Sequence, residues 1–299
     1  MIMDTMTVSK LSSSINDTDS CILWNNTSAV AESLAVMMQK ERTVYKRRDY
    51  LSNRTTGLQG NITEEDRTSM VDWCYRVVDV CQLDRETVAM AMDMVDRFLS
   101  NKSSVAATVM MGNRIQFQLL TLTALYVSIK ISNKSVLGSD FFSVASCELY
   151  SVEDIEAMEH LLLKELSWCI SAPTCVQMAH HILKLTGTHV MLDKATWANI
   201  LDEVDYQAEH AVRHNYFVTQ LPSTVAVAAI FNALDRFNKF ESQEFIRAVL
   251  SVIKTAAFES LEVILATRNK LHSLVNGDTN TADGFDDIES TDSDQGHHN

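Results

Sequence analysis

Residues 114–131, RIQFQLLTLTALYVSIKI, are apolar on nearly every face of the helix they would form. Ile115, Phe117, Leu119, Leu120, Leu122, Ala124, Leu125, Val127 and Ile129 leave no broad polar side. In a soluble protein such a helix belongs at the centre of a bundle, surrounded by other helices. Arg114 interrupts the run and Lys130 ends it, so no uncharged stretch approaches the length of a bilayer span. A second stretch, VAVAAIFNAL at 225–234, is similarly rich in small apolar residues and predicts a second centre. Turn chemistry points the same way. Only 8 Gly and 2 Pro serve 299 residues, too few for a sheet protein with many hairpins. The predicted fold is all-α, with short loops and enough apolar residues for a sizeable core.

Start and stop signals divide the chain. Residues 1–27, rich in Ser, Thr, Asp and Asn, read as a flexible N-terminus. Residues 28–62 read as an N-terminal helix and linker. Ser28 is its candidate cap, and Val30, Leu34, Met37 and Met38 its stripe; a basic island, KERTVYKRRDYLSNR, and a polar TTGLQGN follow. A first block spans 63–170. Thr63 caps a helix to about Cys81, with Asp66 as capping-box partner and Met70, Trp73, Val77, Val78 and Cys81 as its stripe. Asp84 caps a helix carrying Val88, Met92, Val95 and Leu99. A short helix at 105–112, the central helix and a helix capped by Ser151 complete the block. The second block spans 171–272, with helices at 173–185, 194–210, 222–236 and 242–269. Pro173 and Pro222 open two of them at the position where a missing amide costs nothing. The order of helices implies a duplicated bundle. Residues 273–299 read as an acidic disordered tail.

The formal charge is −14, and the stretch after Lys270 holds seven Asp or Glu and no Lys or Arg. The body is acidic even without it, which argues against a nucleic-acid binder. Six cysteines form no C-x-x-C pair, as expected of reduced thiols in cytosol or nucleus, and the N-terminus lacks a secretory signal pattern. No phosphate-cradling glycine loop, H-E-x-x-H or G-x-S-x-G occurs. His180 and His181 are adjacent and point apart on a helix. His210 and His214 share a face but lack a base between them. Asp93 and Asp96 are too sparse for a diphosphate site, and Asp286–Asp287 lies in the tail. No catalytic residue, metal or cofactor is expected.

What remains is charge inside apolar helices. Arg67 and Asp96 are expected to pair and lock two helices, because a buried charge has to be compensated. Lys130 suits a helix C-terminus, an interaction of about 0.3–1 kcal/mol, and Glu159 suits solvent. The alternative puts Lys130 and Glu159 at one groove mouth, as a polar clamp for a partner.

The segments EDRTSMVDW, MVDRFLS, FQLLTLTALYVSIK, MEHLLLKELSW, APT at 172–174 and LPSTVAVAA at 221–229 stand in the order and spacing of one family. Over about residues 30–265 the chain resembles the cyclins, regulatory subunits of cyclin-dependent protein kinases. The pattern is nearest the mitotic A/B type but divergent, in the manner of an algal or protist lineage. The resemblance implies tandem five-helix cyclin boxes with an extra N-terminal helix, and a non-enzymatic subunit that binds and activates a kinase in nucleus and cytoplasm. It implies that Lys130 and Glu159 bind the kinase through its PSTAIRE-type helix. It places Arg67, Asp96 and Lys130 in a buried polar cluster, with Asp72 making helix–helix polar contacts. It puts Met70, Trp73 and Gln118 in a patch that docks R-x-L motifs of substrate proteins. Departures are specific. Arg76 stands where the patch is usually acidic, Asp66 where it has methionine, Ser69 where it is apolar, and KISN replaces KFEE. Arg76 is therefore expected to repel a cationic peptide unless Asp66 compensates. RDYL, Arg48–Leu51, fits a minimal destruction box. The alternatives are a non-activating cyclin-fold scaffold, or a transcription adaptor, which would need a basic DNA-binding face.

Overall fold

Capping side chains decide where several helices begin. Thr63 accepts the Asp66 amide, and the Asp66 carboxylate accepts the Thr63 amide, closing a capping box at the start of α2 (Glu64–Val80). Ser151 and Asp154 repeat the device at α7 (Val152–Glu165). The structure, a computed structural model, describes residues 27–52, 61–132, 137–187, 194–236, 239–256 and 258–282. The expected flexible N-terminus, most of the 55–61 linker, Asp286–Asp287 and the end of the acidic tail lie outside them. Every regular element among the described residues is helical: α1 (27–43), α2, α3 (Glu86–Ser100), α4 (Val105–Met111), α5 (Arg114–Ser132), α6 (Ser139–Ala145), α7, α8 (Cys175–Gly187), α9 (Lys194–Arg213), a 3₁₀ turn (Asn215–Thr219), α10 (Pro222–Asp235), α11 (Lys239–Thr255) and α12 (Leu261–Ala282).

Two hydrophobic cores form around the two apolar stretches. α5 packs against α2, α3, α4, α6 and α7, and α10 against α8, α9, α11 and α12. By length and composition α5 alone among the described helices could cross a membrane, despite its terminal charges; here it is mostly buried inside the protein. α1 precedes the first core in sequence but packs into the second, through Leu34 and Met38. The chain then turns back, and Tyr50 enters the first core.

Several elements differ from the sequence expectation. The inner face of α2 is Arg67, Val71, Cys74, Tyr75 and Val78, while Met70, Trp73 and Val77 are only partly covered. The helix is rotated toward the stripe that includes Arg67, because that charge has an internal partner. Pro173 does not open α8; Thr174 does, accepting the Gln177 amide at 3.1 Å. Ser28 lies inside α1 and donates to Glu32. The helix expected at 242–269 is two helices. Phe258 turns toward the second core, and Ser260 accepts the Val263 amide to start α12. α12 also runs past residue 273, because Leu271 and Val275 are buried one turn apart. α6 has no counterpart in the sequence expectation.

If α1 is part of the second core, Leu34→Ala lowers global stability by about 2–5 kcal/mol, the range for truncating a buried leucine. Urea denaturation checks this; a loss below about 0.5 kcal/mol, the scale of an ordinary surface substitution, would show that α1 only rests on the surface.

Candidate functional site

The charges singled out in the sequence separate into a buried pair and a surface pair. Arg67 and Asp96 are the buried one, each side chain about 3% exposed. The Arg67 guanidinium donates to both Asp96 oxygens, at 3.1 and 2.8 Å, and the Tyr50 hydroxyl donates to Asp96 Oδ1 at 2.7 Å. The remaining arm of Arg67 reaches the last turn of α9, donating to the carbonyls of Val212 (2.7 Å) and Arg213 (3.3 Å), where a helix C-terminus favours a cation. Burial lowers the proton affinity of Arg67, but Asp96 and Tyr50 outweigh it and raise its pKa. Burial and the adjacent carboxylate push the Tyr50 phenol well up. Asp72 lies beside this cluster, accepting from Arg213 Nε at 2.8 Å, so that it ties α2 to α9.

Lys130 is not a member of that cluster. Its ammonium donates to Glu159 Oε1 at 2.7 Å and sits 4.7 Å from the Tyr126 ring centroid. The Lys130 side chain is 47% exposed and that of Glu159 15%. The pair bridges the end of α5 to the middle of α7, with one charge open and the other largely covered. Burial lowers the lysine's proton affinity, but the hydrogen bonds to Glu159 and Tyr126 more than reverse this, so it stays an ammonium.

Beyond α7 the chain makes a turn that sequence reasoning missed. Trp168 N–H bonds the Leu163 carbonyl and Ser167 N–H that of Lys164, the two bonds of a Schellman motif. Ser167 (φ 48°) and Trp168 (φ 61°) both adopt left-handed backbone, at a cost of roughly 1–2 kcal/mol per residue without glycine. The strained turn presents an indole that is 68% exposed. A glycine would have signalled such a turn; serine and tryptophan gave no signal.

Met70, Trp73 and Gln118 line one apolar cavity of about 240 Å³, together with Leu122, Cys147 and Tyr150. The Tyr150 hydroxyl meets both the Ile115 carbonyl (2.8 Å) and Gln118 Oε1 (3.3 Å), holding Gln118 at its edge. Arg76 is exposed, one turn beyond Trp73 on α2, and is not among the residues lining the cavity. Asp66 is engaged elsewhere, in the cap of α2 and with Arg114 at 2.9 Å. Asp66 is thus committed to other partners and does not pair with Arg76.

RDYL is folded into the molecule. Arg48 N–H bonds Ser100 Oγ, Tyr50 is buried on Asp96, and Leu51 packs on the first core. Reading it as a linear signal would require pulling that segment out. Among the described residues no cluster of three or more His, Cys, Asp or Glu is arranged for a metal. His181 bonds its own helix at Gln177 O, His210 packs on Tyr206, and His180 faces Asp205 at 3.7 Å.

Comparison with known proteins finds likeness to one family. Residues 32–171 match the sequence profile of the cyclin N-terminal domain. The chain is 29% identical over 224 residues to the G2/mitotic-specific cyclin-2 of Medicago sativa, covering 73% of this chain and 61% of that one. It is 30% identical over 182 residues to Cyclin-A1 of Homo sapiens, covering 60% and 36% respectively. It thus spans less than two thirds of the length of either relative. Among solved structures, a viral cyclin from herpesvirus saimiri matches with a TM-score of 0.58 over 80% of this chain and 96% of that chain. At 13% identity that likeness is one of fold.

Removing one partner of the buried pair strands the other. Asp96→Ala should cost about 3–5 kcal/mol in urea denaturation, and Arg67→Met with Asp96→Leu distinctly less. Equal losses in the two variants would show that apolar packing, not the uncompensated guanidinium, sets the cost.

Proposed function

We propose, from the chain's resemblance to the cyclin family, that it is the regulatory subunit of a cyclin-dependent serine/threonine kinase, and that its two cores are two cyclin-box repeats. The observation that carries this reading is the Lys130–Glu159 bridge across α5 and α7, with its ammonium half open to a partner. The partner is the kinase's PSTAIRE-type regulatory helix. A regulatory subunit does no chemistry; it shifts a population. A free kinase samples inactive positions of that helix, and this chain binds the active one better. The helix glutamate then reaches the ATP-positioning lysine of the kinase. Moving the balance from 1:99 to 99:1 needs about 5.5 kcal/mol of preference.

The surface around the bridge supplies that preference in two ways. Lys130 brings donors that a helix's terminal carbonyls lack, while Glu159 holds the ammonium in place. Apolar contact adds the rest, and Trp168 is the anchor of the type that dominates interface energetics. Val105 (80% exposed) and Val109 (52%) lie one turn apart on α4, which packs on α5, and present a further apolar patch to solvent. In the same reading the Met70–Trp73–Gln118 cavity docks substrate segments. No charged side chain lines it, so the docked segment is apolar rather than arginine-led.

Lys130→Ala should weaken kinase binding by about 2–5 kcal/mol and abolish activation, because Glu159 is left covered and unpaired. Trp168→Ala should weaken binding by at least about 2 kcal/mol if it is an anchor. The exchange of Lys130→Glu with Glu159→Lys keeps the internal bridge but places the wrong charge at the opening. It should melt like the native protein and fail to activate in a histone phosphorylation assay with the co-purified kinase. Full activation by the exchanged protein would reduce the bridge to a structural contact. A scaffold would retain the kinase without raising its activity, and the same assay separates the two readings.

A further inference from the structure

The Lys130 ammonium has a second neighbour besides Glu159. Tyr126, the only tyrosine in the apolar run at 114–131, stands one turn before Lys130 on α5. Side chains four apart on a helix meet over the same turn. Tyr126 is 8% exposed, and the ammonium sits 4.7 Å from its ring centroid. At that distance the negative face of the ring attracts a cation.

The ring is itself held from behind by α6. Tyr126 and Phe142 have ring centroids 5.6 Å apart, and Phe142 meets Phe141 edge-on at 5.3 Å. Phe142 is fully buried, so this stack is anchored in the first core. Ser139, at the start of α6, donates to Glu156 Oε1 at 3.2 Å, one turn before Glu159 on α7. α6 packs on both α5 and α7. The short helix that sequence periodicity did not reveal therefore supports both neighbours of the ammonium.

A lysine carries its charge on a flexible four-carbon stem, and this one is half open to solvent. Glu159 engages it from α7, but a single contact leaves the ammonium free to turn about it. The ring closes a second side, and the donors that remain face away from both. Burial lowers the lysine's proton affinity, and Glu159 and Tyr126 together reverse this. We propose that Tyr126 is a positioning residue: its ring, backed by Phe142, holds the Lys130 ammonium in the one arrangement that receives a partner. A group ordered before binding loses less freedom on capture, which favours the complex. What is received rests on the kinase reading above; the holding of the ammonium does not.

Two measurements separate the holding from the receiving. In the free full chain, labelling of Lys130 by an amine-reactive ester is compared with that of Lys164, which is exposed on α7. Only the uncharged amine reacts, and the ring favours the charged form. Tyr126→Leu keeps an apolar side chain and removes the aromatic face; it should raise the relative labelling of Lys130 by about fivefold. Tyr126→Phe restores the face and should bring it back to within about twofold of the native value. Tyr126→Met, a flexible filler, gives the same reading where leucine packs badly. In the second measurement, the co-purified kinase is stripped of the native chain and each variant is titrated back. Half-maximal histone phosphorylation should need about fivefold more Tyr126→Leu than native chain, and Tyr126→Phe should recover the native value. Unchanged labelling in both Tyr126→Leu and Tyr126→Met, or equal labelling with and without the aromatic face, would overturn the proposal. If Lys130→Ala fails to activate while Tyr126→Leu activates at native concentrations, the kinase reading stands and this proposal falls. If Lys130→Ala activates fully, the kinase reading falls, and the labelling alone decides whether Tyr126 holds the ammonium.

Discussion

The Arg67–Asp96 pair is the interaction around which this molecule is arranged. An ion pair this deeply covered is stabilising only when nearly every donor and acceptor is matched. Here the matching groups come from distant parts of the chain: Asp96 from α3, Tyr50 from the segment after α1, and two carbonyls from the end of α9. The guanidinium has five donors in a rigid plane, so it holds these elements at set angles as well as close together. It thereby joins the first core to the second and ties down the strand of chain between α1 and α2.

Exposure distinguishes this pair from the one at Lys130 and Glu159. Both are lysine- or arginine-to-carboxylate contacts near 2.8 Å. The covered pair has no capacity left for a partner; the open one keeps free ammonium donors at the surface. A surface ion pair contributes little to stability, typically below about 1 kcal/mol, so its value lies in what it presents. Trp168 follows the same logic. Two residues held in left-handed backbone keep a large indole out of the core, and strain of that kind is tolerated only where the surrounding structure enforces it.

α1 extends the connection between the two halves. Its apolar face belongs to the second core and its last turn caps α10 through Glu41, whose charge is costly to bury and is met by the amide and hydroxyl of Ser223. Burial, opposed by the Ser223 contacts, raises the pKa of that carboxyl. The same turn leads into the basic segment that holds Lys46 and Arg47, and Arg47 donates to the Gln220 carbonyl just before α10. One short segment thus anchors the second bundle and feeds Tyr50 into the first.

Much of this was legible in the residues. The all-apolar run at 114–131 required a central helix, the Thr63 and Ser151 boxes marked two helix starts, and the isolated charges at 67 and 96 called for each other. These are local or pairwise constraints, set by periodicity, capping geometry and the cost of an unpaired charge. Other features depended on elements far apart in sequence. The covered face of α2, the break at Phe258, the continuation of α12 through Val275, the docking of α1 on the second core and the exposure of Trp168 were decided by which surfaces met. Periodicity reports that a helix has an apolar face, but the free energy that chooses its partner is area removed from water, and that exists only once two elements are in contact.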